Sequence, residues 1–192
     1  MQTPYSASQI ILHWISAVII IWATLSGFWI SVFDIEPAIK NWVSFFNISL
    51  TTLFIPVFAV RIYLAYRQPT AVEAQAPLLS NVLATWAHRL LYGLTTVVLI
   101  TGVMMMDRPI NIFDQVLIPQ PLTDPALIEL FFKVHVAACW VLALLIGLHI
   151  AAVIKHEISG NRVMKRMSLS RSNDENPGAL PNALKEDSTQ PK

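Results

Sequence analysis

Four apolar stretches divide this chain, each about as long as a helix must be to cross a bilayer. They fall near 10–33, 42–64, 82–106 and 131–155, and crossing ~30 Å of hydrocarbon takes roughly 20 residues of helix. Lipid offers no water to backbone N–H and C=O groups, so each stretch must satisfy its own hydrogen bonds as a helix. Composition agrees: 55% of residues are hydrophobic and 13% charged, where a soluble domain carries about a quarter charged residues. The expected fold is all-α, an integral-membrane four-helix bundle over 1–167 with its polar faces turned inward. Pro56 falls inside the second stretch and should kink it, which membrane helices tolerate.

Charge sets the orientation. Arg67, Lys155, Arg162, Lys165, Arg166 and Arg171 flank one side of the membrane, with Arg89 close by. The other side carries Asp34, Glu36 and Lys40, then Asp107, Arg108, Asp114, Asp124 and Glu129. The excess of lysine and arginine marks the cytoplasmic side and puts both termini there, an N-in/C-in topology. The N-terminal MQTPYSASQ has neither a basic region nor a cleavage site, so the first apolar run reads as a retained helix. Residues 168–192 are polar and proline-bearing and read as a disordered cytoplasmic tail. A formal charge of +1 makes no case for nucleic acid. One cysteine, Cys139, rules out an intrachain disulfide, and the sequence shows neither an internal repeat nor a glycine-rich phosphate loop.

The fourth stretch contains KVHVAACWVLALLIGLHIAAVIKH at 133–156, with imidazoles where lipid would favour none. His135 and His149 lie 14 residues apart, so they share one stripe of the helix about 21 Å apart along its axis. Ionisable residues inside the hydrocarbon are costly and usually face a functional interior. His156 falls at the cytoplasmic interface and reads as an interface residue. His13, in the first stretch, sits at a depth similar to that of His149. Two neutral imidazoles facing each other across a bundle suit the axial positions of a haem iron. Zinc would want three or four clustered ligands. His88 begins the third helix at the same level as His13 and His149. It reads either as an interfacial residue beside Trp86 or, with Arg89, as a partner for a haem propionate. Arg61 lies near the inner end of the second helix, where it would pair with a propionate or reach lipid phosphate. Trp14, Trp42 and Trp86 fit an interfacial belt, and Met104, Met105 and Met106 read as packing residues.

With those residues in view, the chain resembles the bacterial cytochrome b561 family, which is related to the cytochrome b subunits of nickel–iron hydrogenases. The resemblance spans about residues 4–168 and rests on PYSASQIILHW, AHRLLYGL, GVMMM, KVH, GLHIAA and NRVMKRM in that order. It implies two b-type haems stacked across the membrane, each held by two histidines. By position, His13 and His149 would bind the cytoplasmic-side haem, and His135 would serve the periplasmic-side one. The partner of His135 is expected fourteen residues before Arg61, where this chain has Asn47, and the second helix contains no histidine. One haem b is thus expected, and Asn47 puts the second in question. The outer haem is absent, or is five-coordinate on His135 with an open position beside Asn47, or takes another ligand.

The resemblance implies one-electron exchange with a membrane quinone, ubiquinone or menaquinone, in the bacterial inner membrane. Three alternatives stand beside that reading: a haem-bearing anchor for a partner dehydrogenase, a superoxide oxidase-type activity, and a redox-inactive binding or transport module. Expected partners are the lipid bilayer, quinone, and a redox protein or superoxide, and a homodimer is compatible with the sequence.

Overall fold

The computed structural model describes residues 6–67 and 79–159. Its helices are α1 (Ala7–Val32), α2 (Pro37–Arg67), α3 (Leu79–Met104) and α4 (Pro125–Ile158). All four contain spans long and apolar enough to cross a membrane. The expected tail at 168–192 and the basic residues from Arg162 onward lie outside the described residues.

Each helix begins earlier than hydropathy alone predicts, and local chemistry explains two of the starts. The Ser6 hydroxyl accepts the Gln9 amide at 3.3 Å, and the Gln9 side chain accepts the Ser6 N–H at 3.1 Å. This reciprocal box satisfies two of the donors that a helix N-terminus leaves unpaired. α4 starts at Pro125, whose missing N–H costs nothing there, and the Asp124 carboxylate caps it by accepting the Ala126 amide at 2.9 Å. Pro56 sits inside α2.

The helices pack chiefly as two pairs, α1 with α2 and α3 with α4, joined by a smaller contact between α2 and α3. Small hydroxyl residues line the seams. Ser16, Ser26, Ser49, Thr95 and Thr101 are all buried, which lets helix backbones approach closely where packing rather than water drives association. Their hydroxyls are quieted locally: Ser16 donates to the Leu12 carbonyl at 2.6 Å and Thr101 to that of Val97 at 2.7 Å. Between the pairs, α1 and α4 stand far enough apart for aromatic rings to meet across the gap, Phe28 and Trp140 with centroids 4.4 Å apart. Large apolar side chains cover the exterior. Trp14, Trp42 and Trp86 are exposed toward the helix ends, where an aromatic belt meets the headgroups.

The connection from α3 to α4 holds a feature the sequence reading did not foresee. Strands β1 (Ile110–Ile112) and β2 (Val116–Ile118) pair antiparallel, Ile110 with Ile118 and Ile112 with Val116. Phe113 and Asp114 turn the chain with φ of 48° and 57°. Asp114 suits that conformation through local bonds: Asn111 Nδ2 donates to its carboxylate at 2.6 Å and Asn111 Oδ1 accepts its amide at 3.0 Å. Phe113 is held there by its ring, which stands edge-on to Phe45 and Phe46 of α2. Met106, Ile110 and Ile112 are buried beneath, packed with Ile48 and Val103. Ser49 bolts the hairpin down: its hydroxyl donates to the Asn111 carbonyl and accepts the Phe113 amide, both at 3.1 Å.

Candidate haem site

At the end of the bundle where α1 begins and α4 finishes, five side chains from all four helices converge. His13 of α1 receives a hydrogen bond at Nδ1 from the Arg61 guanidinium of α2 at 2.9 Å. That guanidinium also lies over the Tyr92 ring of α3, 5.1 Å from its centroid. One turn earlier on α3, the His88 ring stands edge-on to His149 of α4, with centroids 5.2 Å apart. Arg61, His149 and His88 are the electrostatic neighbours of His13. The depth match read from the sequence thus becomes a physical cluster. Tyr92, which sequence reasoning passed over, joins it through the periodicity of α3, four residues after His88.

The cluster carries an unbalanced charge. Arg61 is half-buried, and among the described residues no carboxylate lies within salt-bridge distance of it. A guanidinium stays protonated and can only donate. A cation at membrane depth without an anion is costly, and an anionic group in the site, or lipid phosphate at the helix end, would offset that cost. No three His, Cys, Asp or Glu side chains converge as a metal cage among the described residues. What the site does offer is imidazoles on opposite helices across the gap between α1 and α4. That arrangement fits a flat iron macrocycle with acidic side groups better than a compact ion.

The outer half of the bundle is arranged differently. His135 of α4 directs Nδ1 at the Val98 carbonyl of α3, 3.1 Å away, with the Thr101 hydroxyl also at 3.1 Å. A carbonyl accepts only, so Nδ1 carries the proton and the lone pair is on Nε2. That lone pair faces the Cys139 thiol one turn along the same helix, at 3.5 Å. The ring lies against the backbone of α3: a Cβ placed on Gly102 would sit 3.2 Å from His135 Cε1. Asn47 of α2 is engaged elsewhere. Its amide donates to the Ser26 hydroxyl of α1 at 2.8 Å, and Ser26 in turn donates to the Trp22 carbonyl at 2.7 Å. His135 and Asn47 therefore each bond within their own helix pair.

Comparison with known families decides between the chemistries this geometry would serve. The sequence profile of prokaryotic cytochrome b561 matches residues 4–168. The chain belongs to that family. It is accordingly a membrane-embedded b-type cytochrome of electron transfer, and the family implies haem b as its cofactor. A search of curated proteins found no match. The imidazoles and the arginine without a carboxylate partner are groups that a haem with its propionates could engage.

Proposed function

We propose that this cytochrome b561 passes single electrons to and from a membrane quinone through one haem held between His13 and His149. The observation that carries the reading is the convergence of His13, Arg61, His88 and His149 at one end of the bundle. His13 and His149 would hold the haem, which would supply reversible one-electron chemistry there.

The protein's own residues do the rest. His13 and His149 approach from α1 and α4. With Nδ1 accepting from Arg61, His13 holds its proton on Nε2; to hold an iron through Nε2 it would need the other tautomer, with the proton on Nδ1. Arg61 cannot accept a hydrogen bond, so in that tautomer its guanidinium would be free to pair with a carboxylate. Haem propionates would supply the anion that Arg61 lacks, and His88 would help to hold them. The edge-on contact from His88 fixes the plane of the His149 ring. Lipid-facing aliphatic and tryptophan side chains keep water from the gap, and burial sets the potential together with the Arg61 charge.

The excess of positive charge on the flanks supports reading this end of the bundle as facing the cytoplasm from the bacterial inner membrane, with the four helices taken as one domain over 1–167. Quinone, an amphipathic two-electron carrier, reaches such a site from within the bilayer. The test is the reduced-minus-oxidised absorption spectrum of the purified chain. A sharp α-band is expected in the wild type and should vanish in His13→Ala and His149→Ala. A colourless wild-type protein from haem-replete cells sinks the proposal.

A further inference from the structure

We infer that this chain carries a single haem, and that its outer half is a fixed polar seam in which His135 and Asn47 tie helices together instead of binding iron. The inference rests on the reading of the inner site given above and departs from the two-haem pattern that the family resemblance suggests.

A second bis-imidazole haem needs a histidine from α2 opposite His135, and α2 contains none; a five-coordinate one would need the His135 lone pair alone. The four polar residues nearest that level, Asn47, Ser49, Thr51 and Thr52, are committed. Asn47 donates to Ser26, Ser49 holds the hairpin, and Thr51 and Thr52 donate to the Asn47 and Ile48 carbonyls at 2.7 Å. Amide and hydroxyl oxygens suit hard cations, whereas iron in a porphyrin favours imidazole. The amide of Asn47 points into the α1–α2 seam, and recruiting it would leave the buried Ser26 without its cross-helix partner.

His135 is settled on the other side. Its Nδ1–H bridges to Val98 of α3, and its ring rests on the backbone at Gly102. The Nε2 lone pair, which a metal would need, meets the Cys139 thiol from the same helix. The hairpin covers α2 at this level through Ser49 and through the rings of Phe45, Phe46 and Phe113. Donation from Nδ1–H to a carbonyl is also what a metal-bound imidazole shows, so the weight falls on the donor set: α2 brings no imidazole opposite His135, the Asn47 amide is committed to Ser26, and Cys139 faces the His135 lone pair.

The consequence concerns partners. His149 lies about 21 Å below His135 along α4. With no second iron at the His135 level, no relay connects the inner haem to the outer face. Electron donor and acceptor must both engage the inner half of the bundle. This cytochrome then cycles electrons on one side of the membrane, and it does not carry them across.

The experiment is a haem count on the full-length chain purified in detergent, by pyridine haemochromogen against amino-acid analysis, with a potentiometric titration of the same sample. One haem per chain is expected, titrating as a single one-electron wave. Both count and potential should be unchanged in His135→Ala and in His135→Asn, which keeps a donor for the Val98 carbonyl so that folding does not confound the result. Two haems per chain, or a fall in haem or a displaced wave in both His135 variants, overturns the inference and leaves the inner bis-histidine reading standing. A chain with no haem at all overturns the inner reading, and this inference with it.

Discussion

Ser49→Ala removes one oxygen from the seam between α2 and the hairpin, and its effect can be worked out in advance. The hydroxyl is fully buried, at 0% exposure. It serves two backbone groups at once, the Asn111 carbonyl and the Phe113 amide, each at 3.1 Å. Alanine fits the helix and improves its propensity, so α2 itself should be unharmed. The hairpin is not so fortunate, because both groups would face a methyl. Asn111 and Phe113 are only half-buried, so leaving the two groups unpaired costs about 1–3 kcal/mol in all, and undocking the hairpin into water relieves that cost. Undocking should therefore become roughly 5- to 150-fold more frequent, with about 30-fold at the centre of that range. Hydrogen exchange followed by mass spectrometry reads this directly on peptides covering 106–118, with peptides from the middle of α4 as an internal reference. Exchange in the hairpin should speed up by about that factor while α4 stays as it was. Hairpin exchange within twofold of wild type would refute the claim that Ser49 holds the hairpin to α2.

Two other substitutions probe the two halves of the bundle. Gly102→Ala places a Cβ at 3.2 Å from His135 Cε1. It should displace the ring by a few tenths of an ångström, a clash of about 1–3 kcal/mol partly offset by the ~1 kcal/mol that alanine gains over glycine in a helix, seen as a small drop in thermal midpoint with haem content unaltered. Arg61→Leu removes the positive charge beside the inner iron site. It should lower the midpoint potential by an amount on the order of 1–2 kcal/mol, or tens of millivolts, while Arg61→Lys retains most of the wild-type value.

Some of this was written plainly in the chain and some was not. The four apolar runs dictated the helices because lipid leaves the backbone no other choice. The true starts of α1 and α4 were also legible, in Ser6 with Gln9 and in Asp124 with Pro125, but hydropathy averages over such single-residue signals. The hairpin escaped because its strands are three residues each and its turn uses Phe113 and Asp114 in place of the Asn-Gly or Asp-Gly pair that announces such turns. At the site, helical periodicity was enough to bring His13, His88 and His149 to one level. It was not enough to show Arg61 bonded to His13, or Asn47 to Ser26. Those contacts cross from one helix to another, and they depend on how the helices rotate against each other, which no single helix encodes. Tyr92 could have been found by counting one turn on from His88.

The central claim is that two imidazoles, from α1 and α4, share one iron. Electron paramagnetic resonance of the oxidised protein tests it most directly, because the spin state of ferric haem reports its axial ligands. The account predicts a low-spin ferric signal in the wild type that is lost in both His13→Ala and His149→Ala. A high-spin signal in the wild type, or a low-spin signal that survives either substitution, would contradict it.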